Sequence, residues 1–183
     1  GHRSILRVLP AIGIPLGETP IIRRNLVLPS VTCPAECAAM TRYEAYVEKN
    51  WREFGLAHLL VARIREDGSA DFAVFLVDLF CLGVKDAFFE ADVAELDLQE
   101  FVNERLPGDF REPIHPACAK KMIEGALIYA EKLGFAPHRD FRKARRVLSG
   151  IDAGACPMDF TYGRDGRPCY VRGVDDTDER VNR

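Results

Sequence analysis

The pattern of apolar and polar positions predicts a β-hairpin near the middle of the chain. Residues 56–82 are rich in β-forming residues and turn at Asp67-Gly68, a pair that favours tight turns. The second strand, residues 72–82, is apolar on both faces, which is typical of a central strand covered on both sides. Gly83 marks either the end of this strand or a bulge.

Helical spacing of apolar residues predicts a long helix before the hairpin. In residues 32–54, cysteine, methionine and large apolar residues recur at near-helical intervals. Thr32 is a suitable N-cap, Pro34 fits the first turn, and Gly55 suits the position just after a helix.

A second long helix is predicted over residues 116–133. Pro116 fits its first position, small and branched apolar residues form one stripe, and Gly134 follows its end. Shorter helices are predicted at residues 94–105 and from Asp140, which is a plausible N-cap.

These elements predict an α+β domain over residues 32–173. A second hairpin is expected at residues 158–173, turning at Asp165-Gly166. We expect a small, mainly antiparallel sheet of two hairpins, packed against the two long helices. Residues 1–31 are expected to form an extended N-terminal arm, and residues 174–183 a polar tail.

Composition gives no sign of a chain that is basic throughout or that spans a membrane, and it favours one location. The 183-residue chain has a net charge of −3, so no global basic field is present to hold nucleic acid. No apolar stretch reaches the roughly 18–20 residues of a membrane span. Six cysteines in a chain of this size, without an export signal at its start, favour reduced thiols and a cytoplasmic location.

Charge is distributed unevenly along the chain. Residues 86–112 contain nine acidic residues and only two arginines. The stretch RDFRKARR, residues 139–146, is strongly basic. Its cationic residues could bind the phosphates of a nucleic acid, or they could pair within the chain with the acidic segment. These candidate binding residues are Arg139, Arg142, Lys143, Arg145 and Arg146.

An aspartate, Asp78, interrupts the apolar stretch VFLVDLFCLG. A carboxylate in an apolar interior is costly unless it is paired, hydrogen-bonded, neutral or functional. We predict that Asp78 is ionised, that its partner is Lys85 or a group of backbone amides, and that it sits at the functional end of the sheet. The alternative is a purely structural acceptor.

Four side chains could together form a hydrolytic site, which would be metal-dependent if the carboxylates bind a cation. The hypothetical catalytic residues are Asp78, Asp86, His138 and Asp140. Each also has a structural alternative, such as an N-cap role for Asp140 or a solvated turn at Asp86. Convergence of the four side chains in a cleft would favour the enzyme.

The cysteines offer two further possibilities. Cys81 could be a nucleophile, although its apolar neighbours favour a buried structural thiol. Two cysteine pairs could jointly hold zinc, but neither pair has the usual two-residue spacing. These pairs are Cys33 with Cys37, and Cys156 with Cys169. The sequence does not show which cofactor, if any, the protein uses.

Three stretches together are similar to a known group of proteins. They are VFLVDLFCLGVKDAFF, HPACAKKMIEGALIYAEKLGFAPHRDF and MDFTYGRDGRPCYVRG. Over roughly residues 50–173 the chain resembles uncharacterised bacterial proteins, some of which carry a SEC-C-type zinc-binding tail. No cysteine-rich tail follows residue 173 here, and the resemblance brings no catalytic residue with it.

Two functions remain open from the sequence. The first is a binding or adaptor module that contacts nucleic acid, a ribonucleoprotein or another protein through the basic helix. The second is a small hydrolase, metal-dependent or not, that uses the carboxylate and histidine residues. Charge segregation and the lack of a complete catalytic motif favour the first.

Overall fold

The computed structural model describes residues 41–170. It contains five strands, which belong to one antiparallel sheet. Their bounds are β1 (Arg42–Glu48), β2 (Leu56–Ile64), β3 (Ser69–Asp78), β4 (Gly83–Ala94) and β5 (Arg111–Pro113). Their order across the sheet is β4-β3-β2-β1-β5. The predicted arm and tail lie outside these residues, as does the start of the predicted helix at residues 32–54.

Four α-helices and two short 3₁₀ turns accompany the sheet. The helices are α1 (Trp51–Phe54), α2 (Glu95–Arg105), α3 (Pro116–Lys132) and α4 (Phe141–Ala144); the 3₁₀ turns are Arg145–Leu148 and Ala153–Ala155. This architecture confirms the predicted α+β class. None of the helices within residues 41–170 has the length and apolar character needed to cross a membrane.

The central hairpin and its turn form as predicted, but its second strand ends at Asp78, and the following residues, predicted as strand up to residue 82, form the turn to β4. β2 and β3 pair from Leu56 opposite Asp78 to Ile64 opposite Ala70. At the turn, Gly68 has a φ of 77°, and the Ser69 amide donates to the Asp67 carboxylate at 2.9 Å. Both strands lie inside the sheet, because β1 and β4 flank them.

The sheet has an apolar core on each face. One core contains Leu59, Phe75 and the buried stripe of α3, and α4 and the following 3₁₀ turn also pack into it. The other core is smaller and joins Leu60 and Phe72 to the buried side of α2. Because alternate residues of β2 and β3 point into different cores, both strands must be apolar on both faces.

The predicted long helix at residues 32–54 is wrong over its described part. Residues 42–48 form strand β1, and only Trp51–Phe54 is helical. The segment RYEAYVE alternates apolar and polar residues, with Ala45 and Val47 buried. That period of two is typical of a strand, whereas the wider spacing of apolar residues across 32–54 is near-helical. Pairing with β2 favours the strand. Gly55 does end α1, with a φ of 69°.

The second hairpin, predicted at residues 158–173, is wrong in its strands over the described part, residues 158–170. There, only the turn at Asp165-Gly166 forms, where Arg164 and Arg167 make an isolated bridge. The adjoining backbone amides donate elsewhere: Gly163 N–H to the Leu79 carbonyl at 2.9 Å, and Cys169 N–H to the Phe80 carbonyl at 3.1 Å. This segment therefore lies against the β3–β4 turn instead of pairing with itself.

The long helix α3 begins and ends where the sequence predicts. Pro116 is its first residue, and its C-terminal carbonyls accept from the amides of Gly134 and Phe135. The helix packs so closely on the sheet that a Cβ on Gly83 would lie 2.8 Å from the Cβ of Ala130. Gly83 also has a φ of 68°, so only glycine fits this start of β4.

A disulfide bond joins Cys118 in the first turn of α3 to Cys156. The prediction of reduced thiols is therefore wrong for this pair, because the fold brings their Cα atoms within 4.8 Å. Cys81 and Cys169 are free thiols. The cytoplasmic location, which rested on reduced cysteines, stays a prediction.

The two outer strands differ in length and regularity. β5 has three residues and ends at Pro113, which has no backbone N–H. β4 has twelve residues, but its pairing with β3 shifts register twice, and Asp92 has a φ of 58°. On its outer side, the Val84 carbonyl accepts a hydrogen bond from the His138 amide at 2.9 Å.

Candidate functional site

The basic surface, defined as Arg139, Arg142, Lys143, Arg145 and Arg146, is exposed at all five positions. It lies on α4 and the 3₁₀ turn that follows. Phe141, Ala144 and Val147 point from the same segment into the core, so the intervening basic residues face outward. The one ion pair made by these five residues within residues 41–170 joins Arg139 to the adjacent Asp140 at 4.0 Å.

The acidic segment does not neutralise this surface. α2 packs against the opposite face of the sheet from α4. Within residues 41–170, no ion pair joins Arg142, Lys143, Arg145 or Arg146 to residues 86–112, and four of the nine acidic side chains there pair with other groups. These pairs are Asp86 with His138, Glu95 with Arg42, Asp92 with Arg65, and Glu112 with Arg52.

Three of the four hypothetical catalytic residues do converge, beside the start of the basic surface. His138 Nδ1 lies 3.4 Å from Asp86 Oδ1 and 3.8 Å from Asp140 Oδ2. The bond from His138 N–H to Val84 brings the loop after α3 onto β4 and positions the imidazole. We call these three residues the carboxylate–histidine cluster.

The environment of the carboxylate–histidine cluster shifts the pKa of Asp86. Burial raises the pKa of Asp86, while the Ala87 amide and His138 act in the opposite direction. His138 Nδ1 faces the two carboxylates and also accepts from the Asp140 amide at 3.4 Å, so Nε2 lies on the other side of the ring. Asp140 occupies the N-cap position of α4, as predicted, and its carbonyl accepts from the Lys143 and Ala144 amides, but its side chain makes no capping hydrogen bond.

The fourth residue, Asp78, is separate from this cluster. Its side chain is fully buried at the end of β3, and Oδ1 accepts from the amides of Phe80 and Cys81 at 2.9 and 3.0 Å. This is the backbone amide partner that the sequence suggested. Burial raises the pKa of Asp78, and these amides and the Lys85 charge only partly offset that effect. Within residues 41–170, no hydrogen bond or ion pair links Asp78 to the cluster.

Sequence reasoning missed an aromatic residue near the basic surface. Phe135 is 42% exposed and lies three residues before His138. Its amide bonds to the Ala130 carbonyl as α3 ends, so helix termination places it at the surface. A large apolar residue two positions past a helix end usually packs back on the helix. Its position after Gly134 therefore favoured a packed side chain and gave no signal of exposure.

No metal site is evident in the part of the chain that the structure describes. Within residues 41–170, no group of three or more histidine, cysteine, aspartate or glutamate side chains is arranged to hold a metal ion. Of the proposed zinc ligands, Cys33 and Cys37 lie outside these residues, and Cys156 is in the disulfide. Two surface cavities, of about 310 and 290 Å³, are lined by other residues than the predicted site residues.

Comparison with known proteins gives no relative. No protein-family model matches the chain, and neither the curated proteins nor the solved structures contain a significant match. The resemblance to bacterial proteins with SEC-C-type tails therefore stays a prediction.

Proposed function

We propose that this protein is a binding module for nucleic acid, which it contacts through the basic surface. The observation that supports this most is the position of the acidic helix on the opposite face of the sheet, because it leaves the cations of α4 and its 3₁₀ turn facing solvent. Four arginines and one lysine on a single short segment suit a row of phosphates.

Arginine dominates this surface, and its geometry suits phosphate. A guanidinium group presents a planar fork of donors to phosphate oxygens, whereas lysine acts as a point charge. Phe135 lies in the loop that leads into this segment and offers a face on which an unpaired base can stack. A single-stranded nucleic acid is therefore the preferred ligand.

Binding should fall steeply with salt. If all five cations contact phosphates, the slope of log K against log salt should be about −3.5 to −4.5, because each contact releases counterions. Changing Arg142, Arg145 and Arg146 together to Glu should abolish binding without unfolding the protein, since all three side chains are exposed. Fluorescence anisotropy with a labelled single-stranded oligonucleotide, RNA or DNA, measures both effects.

The matched control reverses three exposed cations elsewhere. Lys49, Arg164 and Arg167 are exposed and lie outside α4, and changing them to Glu gives the same net charge. This variant should keep most of the affinity. The proposal would be contradicted if the wild-type protein did not bind the oligonucleotide at about 50 mM salt. It would also be contradicted if both triple variants lost affinity equally while their urea midpoints stayed unchanged.

The carboxylate–histidine cluster supports a second candidate, a hydrolase. His138, held by Asp86 and Asp140 next to the basic surface, would act as a general base toward a bound phosphodiester or another anionic substrate. The carboxylate on Nδ1 would fix the tautomer and leave Nε2 to accept a proton from water.

A hydrolysis assay separates this candidate from simple binding. If the cluster is catalytic, changing His138 to Ala should lower oligonucleotide cleavage by about 10²-fold or more, the usual share of a general base. Cleavage would be followed on gels with Mg²⁺ and with a chelator. His115, which accepts the Ala117 amide at 3.2 Å, gives the control variant His115→Ala. Wild-type binding without cleavage would exclude this hydrolase and leave the binding module.

A further inference from the structure

Among residues 41–170, Cys81 and Cys169 are the free cysteines, and a backbone hydrogen bond brings the segment of Cys169 to the turn between β3 and β4 that contains Cys81. Cys81 is in the turn itself and is only 6% exposed, whereas Cys169 is half-buried. The Cys169 amide donates to the carbonyl of Phe80, the residue before Cys81, at 3.1 Å. A backbone contact of this kind brings the Cα atoms close to the separation that a disulfide spans.

A buried carboxyl group lies at the same turn. Asp78 Oδ1 accepts from the amide of Cys81, while Asp78 Oδ2 has no hydrogen-bond partner among residues 41–170. Burial raises the pKa of the Cys81 thiol, and Asp78 and then Cys169 raise it further, so the three groups interact. The raised pKa of Asp78 makes its carboxylate a better proton acceptor than an exposed aspartate.

We propose that Cys81 and Cys169 form a dithiol site that reacts with small disulfides and closes to a second intramolecular disulfide. This inference is independent of nucleic-acid binding, because it rests on Cys81, Cys169 and Asp78. It assigns the buried carboxyl group a chemical role as the proton acceptor for Cys81.

The reaction has two exchange steps. The Cys169 thiolate, which is the more accessible, attacks a disulfide R–S–S–R; a Cys169–S–S–R bond forms and one RS⁻ leaves. Asp78 Oδ2 then accepts the Cys81 proton, and the Cys81 thiolate attacks Cys169 Sγ and expels the second RS⁻. Two cysteine thiols are oxidised to one disulfide, and R–S–S–R is reduced to two thiols, because the two protons that leave the cysteines are taken up by the two RS⁻ groups.

Formation of the Cys81–Cys169 disulfide would fix the segment that contains Cys169 onto the sheet. The segment from Gly163 to Cys169 is held at the β3–β4 turn by its amide bonds to the carbonyls of Leu79 and Phe80. A Cys81–Cys169 bond would replace this reversible contact with a covalent one, which only a reductant could open.

Peptide mapping tests the proposal on the full chain. Cys33→Ser and Cys37→Ser are introduced to remove the other two thiols, and the protein is incubated with oxidised glutathione, alkylated, digested without reductant and analysed by mass spectrometry. We expect a Cys81–Cys169 cross-link beside the unchanged Cys118–Cys156 bond. With Cys81→Ser, the reaction should stop at glutathione on Cys169. With Cys169→Ser, the buried Cys81 should stay unmodified.

A further variant tests Asp78. Asp78→Asn keeps an oxygen for the turn amides but cannot accept the proton, so closure should slow by about 10²-fold and the Cys169 adduct should accumulate. The control variant Asp97→Asn, which changes an exposed carboxyl group on α2, should close at the wild-type rate.

Three outcomes would overturn the proposal or part of it. The dithiol site would be overturned if Cys81 and Cys169 were alkylated to the same extent with and without oxidised glutathione. It would also be overturned if Cys81 in the Cys169→Ser variant were modified as much as in the wild-type protein. Wild-type closure in a folded Asp78→Asn protein would overturn the role of Asp78. If circular dichroism shows that the Asp78→Asn variant is unfolded, the wild-type cross-link and the Cys81→Ser and Cys169→Ser variants decide whether the dithiol site exists.

Discussion

Replacing Phe75 by alanine should lower the free energy of unfolding by about 3–5 kcal/mol, the usual cost of an aromatic side chain lost from a core. Phe75 is fully buried in the centre of β3 and makes an edge contact with Phe141, with ring centroids 6.1 Å apart. Its neighbours cannot close the gap, because the paired strands β2 and β4 hold the backbone in place. Urea denaturation measures the loss.

The control for this variant is Phe54→Ala. Phe54 is 57% exposed at the end of α1, so its replacement should change stability by no more than about 0.5 kcal/mol. A urea midpoint of Phe75→Ala equal to that of wild type would mean that β3 is not part of the core.

Removing the disulfide between Cys118 and Cys156 should cost about 2–5 kcal/mol. The bond closes a loop over a sequence separation of 38 residues and ties α3 to the turn at Ala153–Ala155. In the chain-entropy account, such a bond acts mainly by restricting the unfolded chain. The double variant Cys118→Ala, Cys156→Ala, measured by urea denaturation, should therefore be less stable than the oxidised protein.

A variant of a buried cysteine outside this disulfide separates the effect of lost packing on stability from the effect of the lost cross-link. Cys81 and Cys156 are both 6% exposed, so Cys81→Ala reports the cost of losing a buried sulfur atom alone. Reductant should destabilise the wild-type protein and leave the double variant unchanged. Equal stability of the double variant and the wild type, with no effect of reductant, would contradict this prediction.

Local signals predicted the elements that depend on a few neighbouring residues. The turn at Asp67-Gly68 and the bounds of α3 at Pro116 and Gly134 follow from backbone preferences that act within one turn of chain. The strand at residues 42–48 was not predicted, because the alternation of its apolar and polar residues overlaps a near-helical spacing of apolar residues that continues to Trp51. Hydrogen bonding to β2, a strand that is formed by other residues of the chain, selects the extended conformation of this segment.

The candidate site was predictable only in its composition. Asp86 and His138 are far apart in sequence, and they meet because the loop after α3 docks on β4. The burial of Asp78 suggested backbone amides as one possible partner, but nothing local showed that Asp78 would lie apart from Asp86, which is close to it in sequence. Likewise, no spacing rule pairs Cys118 with Cys156, since the packing of the 3₁₀ turn against α3 brings them together.

The outer strands of the sheet have a consequence for association between copies. An unpaired outer strand presents a row of free N–H and C=O groups onto which another chain can add. Here β5 is three residues long and ends in proline, and β4 is interrupted by its register shifts, by the left-handed Asp92 and by the His138 amide on Val84. Neither side of the sheet therefore offers a long regular template, and the fold resists growth into extended sheets and aggregates.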